Sequence, residues 1–283
     1  MILPQTGFFA YLRNSSTFMP HLSLSDWPAT ARSHIHGVLT DIDDTLTTEG
    51  AITPDALAAL HALRAAGLPV FAITGRPAGW SEPFARAWPV DAIVAENGAV
   101  GLQHSATQGL RKLYQQDAPT RQANFTRMQA VLEQIEKDVT GARRSQDSAG
   151  RETDIAIDHS EFTHLPQHAI DEVVRLMQAA GMTATVSSIH INGWFGEHSK
   201  LTGARWIVRE LWDRDLDAEI DRWVYVGDST NDQVMFEHFP HSVGVANIRR
   251  FEAQLTHPPR FITPSERGAG FAELARHLLT GLT

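Results

Sequence analysis

Three aspartates, Asp41, Asp43 and Asp44, stand within four positions of one another in the stretch VLTDIDDTLTT from Val38 to Thr48, directly after a strand-forming run. Carboxylates this close repel: at about 4 Å and an effective dielectric near 20, a pair costs roughly 4 kcal/mol. A fold that ends a buried strand on such a cluster must place it where something offsets that repulsion. The carboxyl ends of parallel strands, outside which α/β sheets bind their ligands, are such a place.

The neighbouring sequence supports that arrangement. Gly37 to Asp43 reads as a buried strand. Thr53 is an N-cap candidate, Pro54 suits the first position of a helix and Gly67 its C-terminal stop, with Leu57, Leu60 and Leu63 along one side. Val70 to Thr74 is a second strand cut off by Gly75, a helix follows around Gly79 to Ala87, and Ala92 to Ala95 is a third strand ending in Glu96-Asn97-Gly98. The pattern returns late in the chain. Trp223 to Val226 runs into Gly227-Asp228, residues 230–238 read as helix, and Val243 to Ala246 and Arg260 to Thr263 are short strands. Strands alternating with helices predict an α/β fold, a Rossmann-like parallel sheet with helices on both faces. Asp41, Asp43, Thr74, Asn97 and Asp228 all fall at strand ends.

The middle of the chain reads differently. Phe125, Met128, Leu132, Ile135 and Val139 mark an amphipathic helix, and Ile170, Val173, Val174 and Met177 a second between Pro166 and Ala180. Residues 143–158 read as a hairpin turning near Ser148-Ala149-Gly150, and Thr183 to Phe195 as extended chain bent near Ser187-Ser188. This predicts an α+β unit inserted at 105–195, with the core divided between 34–104 and 196–283. Residues 1–33 read as an irregular extension without the basic start and apolar run of a secretory signal, and Met19 as an alternative start, leaving open whether 1–18 belong to the native chain.

Composition narrows the chemistry. The formal net charge of -9, with no long Lys/Arg run, argues against a nucleic-acid surface, and no apolar run is long enough for a membrane helix. The chain has no cysteine, which excludes disulfides, thiolate metal sites and cysteine nucleophiles and fits a reducing cytoplasm, its expected location. Of the fourteen histidines, His34 and His36 share one side of a strand but read as surface residues. Trp194, Trp206, Trp212 and Trp223 read as packing.

A hard cation would neutralise the acid cluster. Mg²⁺ takes oxygen ligands and pairs with substrate phosphate. Asp41 and Asp228 can supply carboxylates from neighbouring strands, Asp232 can act one helical turn on, directly or through water, and Thr74 and Lys200 can hold a phosphate. Such parts suffice for phosphoryl transfer, which needs mainly positioning and charge stabilisation.

Four motifs in order resemble the haloacid dehalogenase-like (HAD) superfamily: Asp41-Ile42-Asp43-Asp44-Thr45-Leu46, Thr74-Gly75-Arg76, Lys200, and Gly227-Asp228-Ser229-Thr230-Asn231-Asp232. The resemblance covers about 36–103 and 196–283. It implies that Asp41 attacks phosphorus to form an aspartyl-phosphate and that Asp43 is acid then base. It further implies that Asp41, the carbonyl of Asp43 and Asp228 bind Mg²⁺ with support from Asp232 and Asn231, and that Thr74, the Gly75 amide and Lys200 hold the phosphoryl oxygens, with Asn231 beside them. The insert and the Glu96-Asn97-Gly98-Ala99 before it resemble the class IIB cap, whose owners include sugar-phosphate phosphatases and phosphomannomutases. On this reading the substrate is a small phosphorylated metabolite, with a sugar phosphate the leading expectation.

Alternation within the insert puts His190 and Asn192 on a face opposite Ile189 and Ile191, viewing the active site, and Glu152 and Asp154 opposite Ile155 and Ile157. Arg151, Asp154, His190, Asn192 and the strand-end Asn97 are therefore the candidate substrate contacts. Two other activities fit the same residues, a sugar-phosphate mutase and a phospho-aspartate signalling module. The compact GDSTND motif leans towards hydrolysis, and an acid two residues after the acceptor together with a large insert leans away from a signalling module. Oligomeric state is left open by the sequence.

Overall fold

In the computed structural model the described residues are 21–281. The expectation of an irregular extension does not hold for 21–33. Strand β1 (Leu22–Ser23) and the short helix α1 (Ala29–Arg32) flank Trp27, which is 1% exposed and stacks on Phe261 and His241 at centroid distances of 5.2 and 5.1 Å. Arg32 donates to His277 O and Thr280 Oγ1. A buried tryptophan is worth enough apolar area to dock so short a segment. The remaining expectations there, Met19 included, lie outside the described residues.

The core follows in chain order as β2 (Gly37–Thr40), a small hairpin of β3 (Thr47–Thr48) and β4 (Ala51–Ile52), α2 (Pro54–Ala65), β5 (Val70–Ile73), α3 (Ala78–Ala87), β6 (Ala92–Ala95), β7 (Val100–Ser105) and β8 (Gly109–Tyr114). The insert supplies α4 (Ala118–Asp138), β9 (Ile155–Asp158), α5 (Gln167–Ala179), β10 (Thr183–Val186) and β11 (His190–Trp194). The chain then returns through α6 (Lys200–Trp212), β12 (Trp223–Gly227), α7 (Gln233–His238), β13 (His241–Gly244), β14 (Phe261–Ile262) and α8 (Arg267–Leu279).

One nine-stranded sheet runs in the order β1-β14-β13-β12-β2-β5-β6-β7-β8, parallel from β1 to β6 and closed at one edge by the antiparallel β7–β8 hairpin. Both faces are covered, so the central strands read as unbroken apolar runs. Val38, Val70, Ala72, Val224 and Val226 pack with α2, α3 and α8 on one face, while Leu39, Phe71, Ile73, Trp223 and Tyr225 pack with α6 and α7 on the other. Helix α2 stops where Gly67 turns at φ 76 and Leu68 N–H reaches back to Leu63 O at 3.0 Å. Chain order reverses between β2 and β12: β5 and β6 extend the sheet one way, β13 and β14 the other. That switch point is where an α/β sheet opens a crevice, and it is where Asp41 and Asp228 emerge.

The insert has its own three-stranded antiparallel sheet, β10-β11-β9, with α4 and α5 packed on one face around Met128, Leu132, Val173, Met177 and Trp194. Its start differs from the expected position, because the core sheet runs on through Tyr114. The expected hairpin over 143–158 is reduced to a single antiparallel bridge, Arg144 to Ile157. Residues 147–154 turn instead towards the core, where buried Glu96 accepts the backbone N–H groups of Glu152 and Thr153. Among the described residues no helix is long and apolar enough to cross a membrane.

Candidate active site

Each strand end at the switch point contributes one polar group, and local sequence explains its placement. Asp41 follows β2, held by its N–H to Val226 O at 2.9 Å. Asp228 follows β12 after Gly227, where a β-carbon would sit 2.5 Å from the Asp232 carboxylate. The glycine therefore lets Asp232 fold back to accept the N–H groups of Asp228 and Ser229 at 2.9 and 3.1 Å. Lys200 opens α6 behind a capping box of Ser199 and Thr202. A lysine at a helix N-terminus opposes the dipole, and it is offset here by two carboxylates: its Nζ lies 2.8 Å from Asp41 Oδ1 and 2.7 Å from Asp232 Oδ1.

Carboxylate oxygens of Asp41, Asp228 and Asp232 lie within 4.8 Å of one another, all three residues buried. Lys200 alone does not balance them. Burial, opposed by Lys200 and reinforced by Asp232 and Asp43, pushes the Asp41 carboxyl up to about 7. Burial and the neighbouring Asp41 and Asp232 drive Asp228 well above the usual carboxylate range. The Lys200 ammonium resists its own burial because Asp232 and Asp41 hold it charged. Asp228 accepts from Asn247 through Oδ2 at 2.9 Å, whereas its buried Oδ1 has no hydrogen-bond partner. An unpartnered carboxylate oxygen amid surplus negative charge fits a hard cation. Asp232 differs. Its oxygens already serve Lys200, Tyr225 Oη and two backbone amides, an arrangement suited to holding neighbours in place.

On the other side of Asp41, Thr74 Oγ1 donates to Asp43 Oδ2 at 3.3 Å and accepts Arg76 N–H at 3.0 Å. Arg76 Nε donates to Asp43 Oδ1 at 2.9 Å, and its outer nitrogens reach Asp147 and Glu161 of the insert at 3.2 and 2.7 Å. Gly75 and Asn231 line the small space between Asp41 and the insert, about 10 Å³, room for roughly one water.

The expected substrate contacts do gather over the site, but they bond to one another and to the core backbone. Arg151 donates to Gly75 O at 2.9 Å and to Asp154 at 2.7 Å; Asn192 donates to Asp154 at 3.0 Å and Asn97 to Asp154 at 3.2 Å; His190 pairs with Glu161 at 2.9 Å. Burial, against Arg151, raises Asp154 to about 7, whereas His190 and Arg76 outweigh burial and hold Glu161 down to about 2. Ile189 does not share the face of Ile191. It sits in the turn before β11 and lines the space beside Asp41, while Ile191 is in the insert's own core.

Several participants were not singled out from sequence. Arg76 stands inside the TGR motif, but nothing in one chain assigns it a partner. Asn247 lies three residues past β13, directly after the strand expected over Val243 to Ala246, a position that could have marked it. Tyr225 lies in an apolar run, and its hydroxyl contact is visible only in three dimensions.

A family profile described as haloacid dehalogenase-like hydrolase matches residues 38–140. Over that stretch the chain is similar to haloacid dehalogenase-like hydrolases. No curated protein matches. Among solved structures, a protein from Thermoplasma acidophilum aligns at TM-score 0.65 and 17% identity, over 87% of this chain and 98% of that one. The sucrose-phosphatase of Synechocystis sp. aligns at 0.60 and 14%, over 86% and 97%. A haloacid dehalogenase-like hydrolase from B. subtilis aligns at 0.60 and 14%, over 86% and 100%. These likenesses span both core and insert, and they establish the fold, an α/β core carrying an inserted α+β unit.

Proposed function

We propose that the protein is a Mg²⁺-dependent phosphatase acting on a small phosphorylated metabolite, with sugar phosphates the leading class, through an aspartyl-phosphate on Asp41. One observation carries the reading: Asp41 and Asp228 converge from two strand ends with Lys200 between Asp41 and Asp232, leaving a buried Asp228 oxygen unsatisfied. Asp41, Asp228 and the main-chain carbonyl of Asp43 would hold the ion, with Asp232 behind them. When bound, it would neutralise charge on the transferring phosphoryl group.

The chain's own groups do the rest. Thr74, the Gly75 amide, Asn231 and Lys200 orient the phosphoryl oxygens. Asp41 attacks phosphorus as Asp43, acting as the acid, gives a proton to the leaving alcohol. Asp43 then takes a proton from the water that attacks the aspartyl-phosphate, releasing phosphate and restoring Asp41. Two easier displacements replace one hard one. Asp43 now has both oxygens on Thr74 and Arg76, so the leaving oxygen must take the place of one of these contacts.

The test is phosphate release from p-nitrophenyl phosphate by the full chain with Mg²⁺ and with EDTA. Release that needs Mg²⁺ supports the reading, and equal release in EDTA removes the metal role. Phosphate retained on the enzyme without turnover would indicate a signalling module, and sugar-1-phosphate converting to sugar-6-phosphate without release a mutase.

A further inference from the structure

The space directly under the cap's polar face holds about 10 Å³, but a lateral cleft of about 550 Å³ opens from Asp43 and Asp228 between cap and core. Its cap wall is the loop carrying Phe162. Among the described residues, Phe162 and Leu22 are the large apolar side chains left exposed, and Phe162, at 62%, is the more exposed. The loop is rigidly built: the Asp158 carboxylate accepts the N–H groups of Glu161, Phe162 and Thr163 at 2.9, 3.0 and 3.1 Å. An aromatic ring held out by three charge-assisted bonds is a presented surface.

The core wall carries Arg250 and Arg267, in a chain of net charge -9. Arg267 lies 3.1 Å from Asp44, while Arg250 pairs at 2.8 Å with Glu266, both side chains more than half exposed. Exposed pairs of that kind contribute little and yield easily to a ligand. This wall is tied to the reacting centre through one side chain. Asn247 Nδ2 donates to Asp228 Oδ2 and Asp44 O at 2.9 and 3.1 Å, and its Oδ1 accepts Arg267 N–H at 3.0 Å. Three residues lining the cleft, Asp44, Glu49 and Arg267, have φ of 55, 52 and 55°. That backbone region is seldom adopted by side-chain-bearing residues and is concentrated at functional sites.

We infer that the substrate's leaving group occupies this lateral cleft, its apolar face against Phe162 and a second anionic group, carboxylate or phosphate, on Arg250 with Arg267 beside it. The substrate class is a phosphomonoester bearing that second anion. The inference rests on the phosphatase reading above.

The test compares kcat/KM within matched pairs, using the full chain with Mg²⁺: 6-phosphogluconate against sorbitol 6-phosphate for a carboxylate, and fructose 1,6-bisphosphate against fructose 6-phosphate for a phosphate. Preference for the doubly anionic member of at least one pair by about tenfold, abolished in Arg250→Gln, is expected from loss of charge-assisted contacts. Phe162→Ala should raise KM for both members of the preferred pair more than it lowers kcat. Circular dichroism and melting of each variant check folding. Equal kcat/KM within both pairs for the parent chain, or an undiminished preference in Arg250→Gln, overturns the inference while p-nitrophenyl phosphate turnover leaves the phosphatase reading standing. No turnover of any phosphomonoester overturns both.

Discussion

Two clusters of buried charge lie a few residues apart at the mouth of this sheet, and they are balanced in opposite ways. At the switch point Lys200 is paired with Asp41 and Asp232, and an oxygen of the neighbouring Asp228 goes without a partner. Between core and cap, Arg76 and Arg151 are shared among Asp43, Asp147, Asp154 and Glu161, with Asn97, Asn192 and His190 completing the bonds. The first cluster carries a standing cost and makes sense only if something else joins it. The second is closed in that each of its carboxylates has a partner, although Arg151 Nε is buried without one, and it binds two layers together. An unmet carboxylate oxygen marks the chemistry here, and paired carboxylates mark the assembly.

The sharpest way to break the contrast is Asp41→Asn. If the unbalanced cluster does the chemistry, turnover of p-nitrophenyl phosphate should fall by at least about a thousandfold, the scale seen when a nucleophile is removed, with circular dichroism unchanged. Retained turnover would show that Asp41 is not the nucleophile.

Mg²⁺ and pH give the next largest effect. The Asp41 and Asp154 carboxyls sit at about 7 in the folded chain against 3.8 as the ordinary value. A raised folded value means that the folded state holds protons more tightly than the unfolded one. The associated stability is fully present below about pH 4 and is lost as pH rises through about 7. In EDTA the melting temperature should therefore fall between pH 5 and pH 8. Mg²⁺ should recover more of it at pH 8 than at pH 5, and Asp228→Asn should abolish that recovery. Glu161 titrates the other way. With its folded value near 2, its contribution is present above its ordinary 4.5 and is lost as pH falls towards 2. Melting curves that do not depend on Mg²⁺ at either pH would contradict the unbalanced state of the first cluster.

The two clusters also differ in how far sequence reveals them. Asp41, Thr74 and Asp228 were legible because each ends an apolar run, and in a parallel sheet strand ends converge. Lys200 was legible only through its motif, since a lone lysine ahead of a helix carries no signal. The closed cluster was half legible. Strand alternation put His190 and Asn192 on the face towards the core, which is where they are, but could not show that Asp154 and Glu161 occupy them. Glu161 sits in a loop without periodicity, and Asp147 in a stretch whose expected hairpin gives way to contacts with Glu96. Trp27 was hidden because its partners, Phe261 and His241, lie more than two hundred positions away in sequence.

Arg76→Gln probes the seam between the clusters, because this guanidinium binds Asp43 on one side and Asp147 and Glu161 on the other. Losing it frees Asp43 and loosens the cap together. We expect kcat for p-nitrophenyl phosphate to drop about 10- to 100-fold, as for a general acid–base group left poorly placed, and hydrogen exchange to speed up over 158–163. Arg76→Lys keeps the charge without the forked geometry and should restore little of kcat. Exchange that speeds up with kcat unchanged would reduce Arg76 to a latch and separate the two clusters completely.

The smallest effect belongs to a triad that resembles the closed cluster in its contacts but not in its burial. Lys112 of β8 reaches Glu82 at 2.8 Å and Glu152 at 2.7 Å, which makes it a further link from core to cap, yet all three side chains are about 30% exposed. Water screens such a link and the long side chains lose entropy in making it, so Lys112→Ala should cost no more than about 1 kcal/mol. Glu152 keeps Tyr114 Oη as a donor, and its backbone N–H stays on Glu96, so the cap should remain seated and kcat should hold. Thermal unfolding in low and high salt measures this directly: the parent chain should lose most of its small advantage over the variant as salt rises. A loss of several kcal/mol, or one indifferent to salt, would mean that the exposed link shares the load of the buried one, and that the cap's seating does not depend on burial in the way the comparison of the two clusters requires.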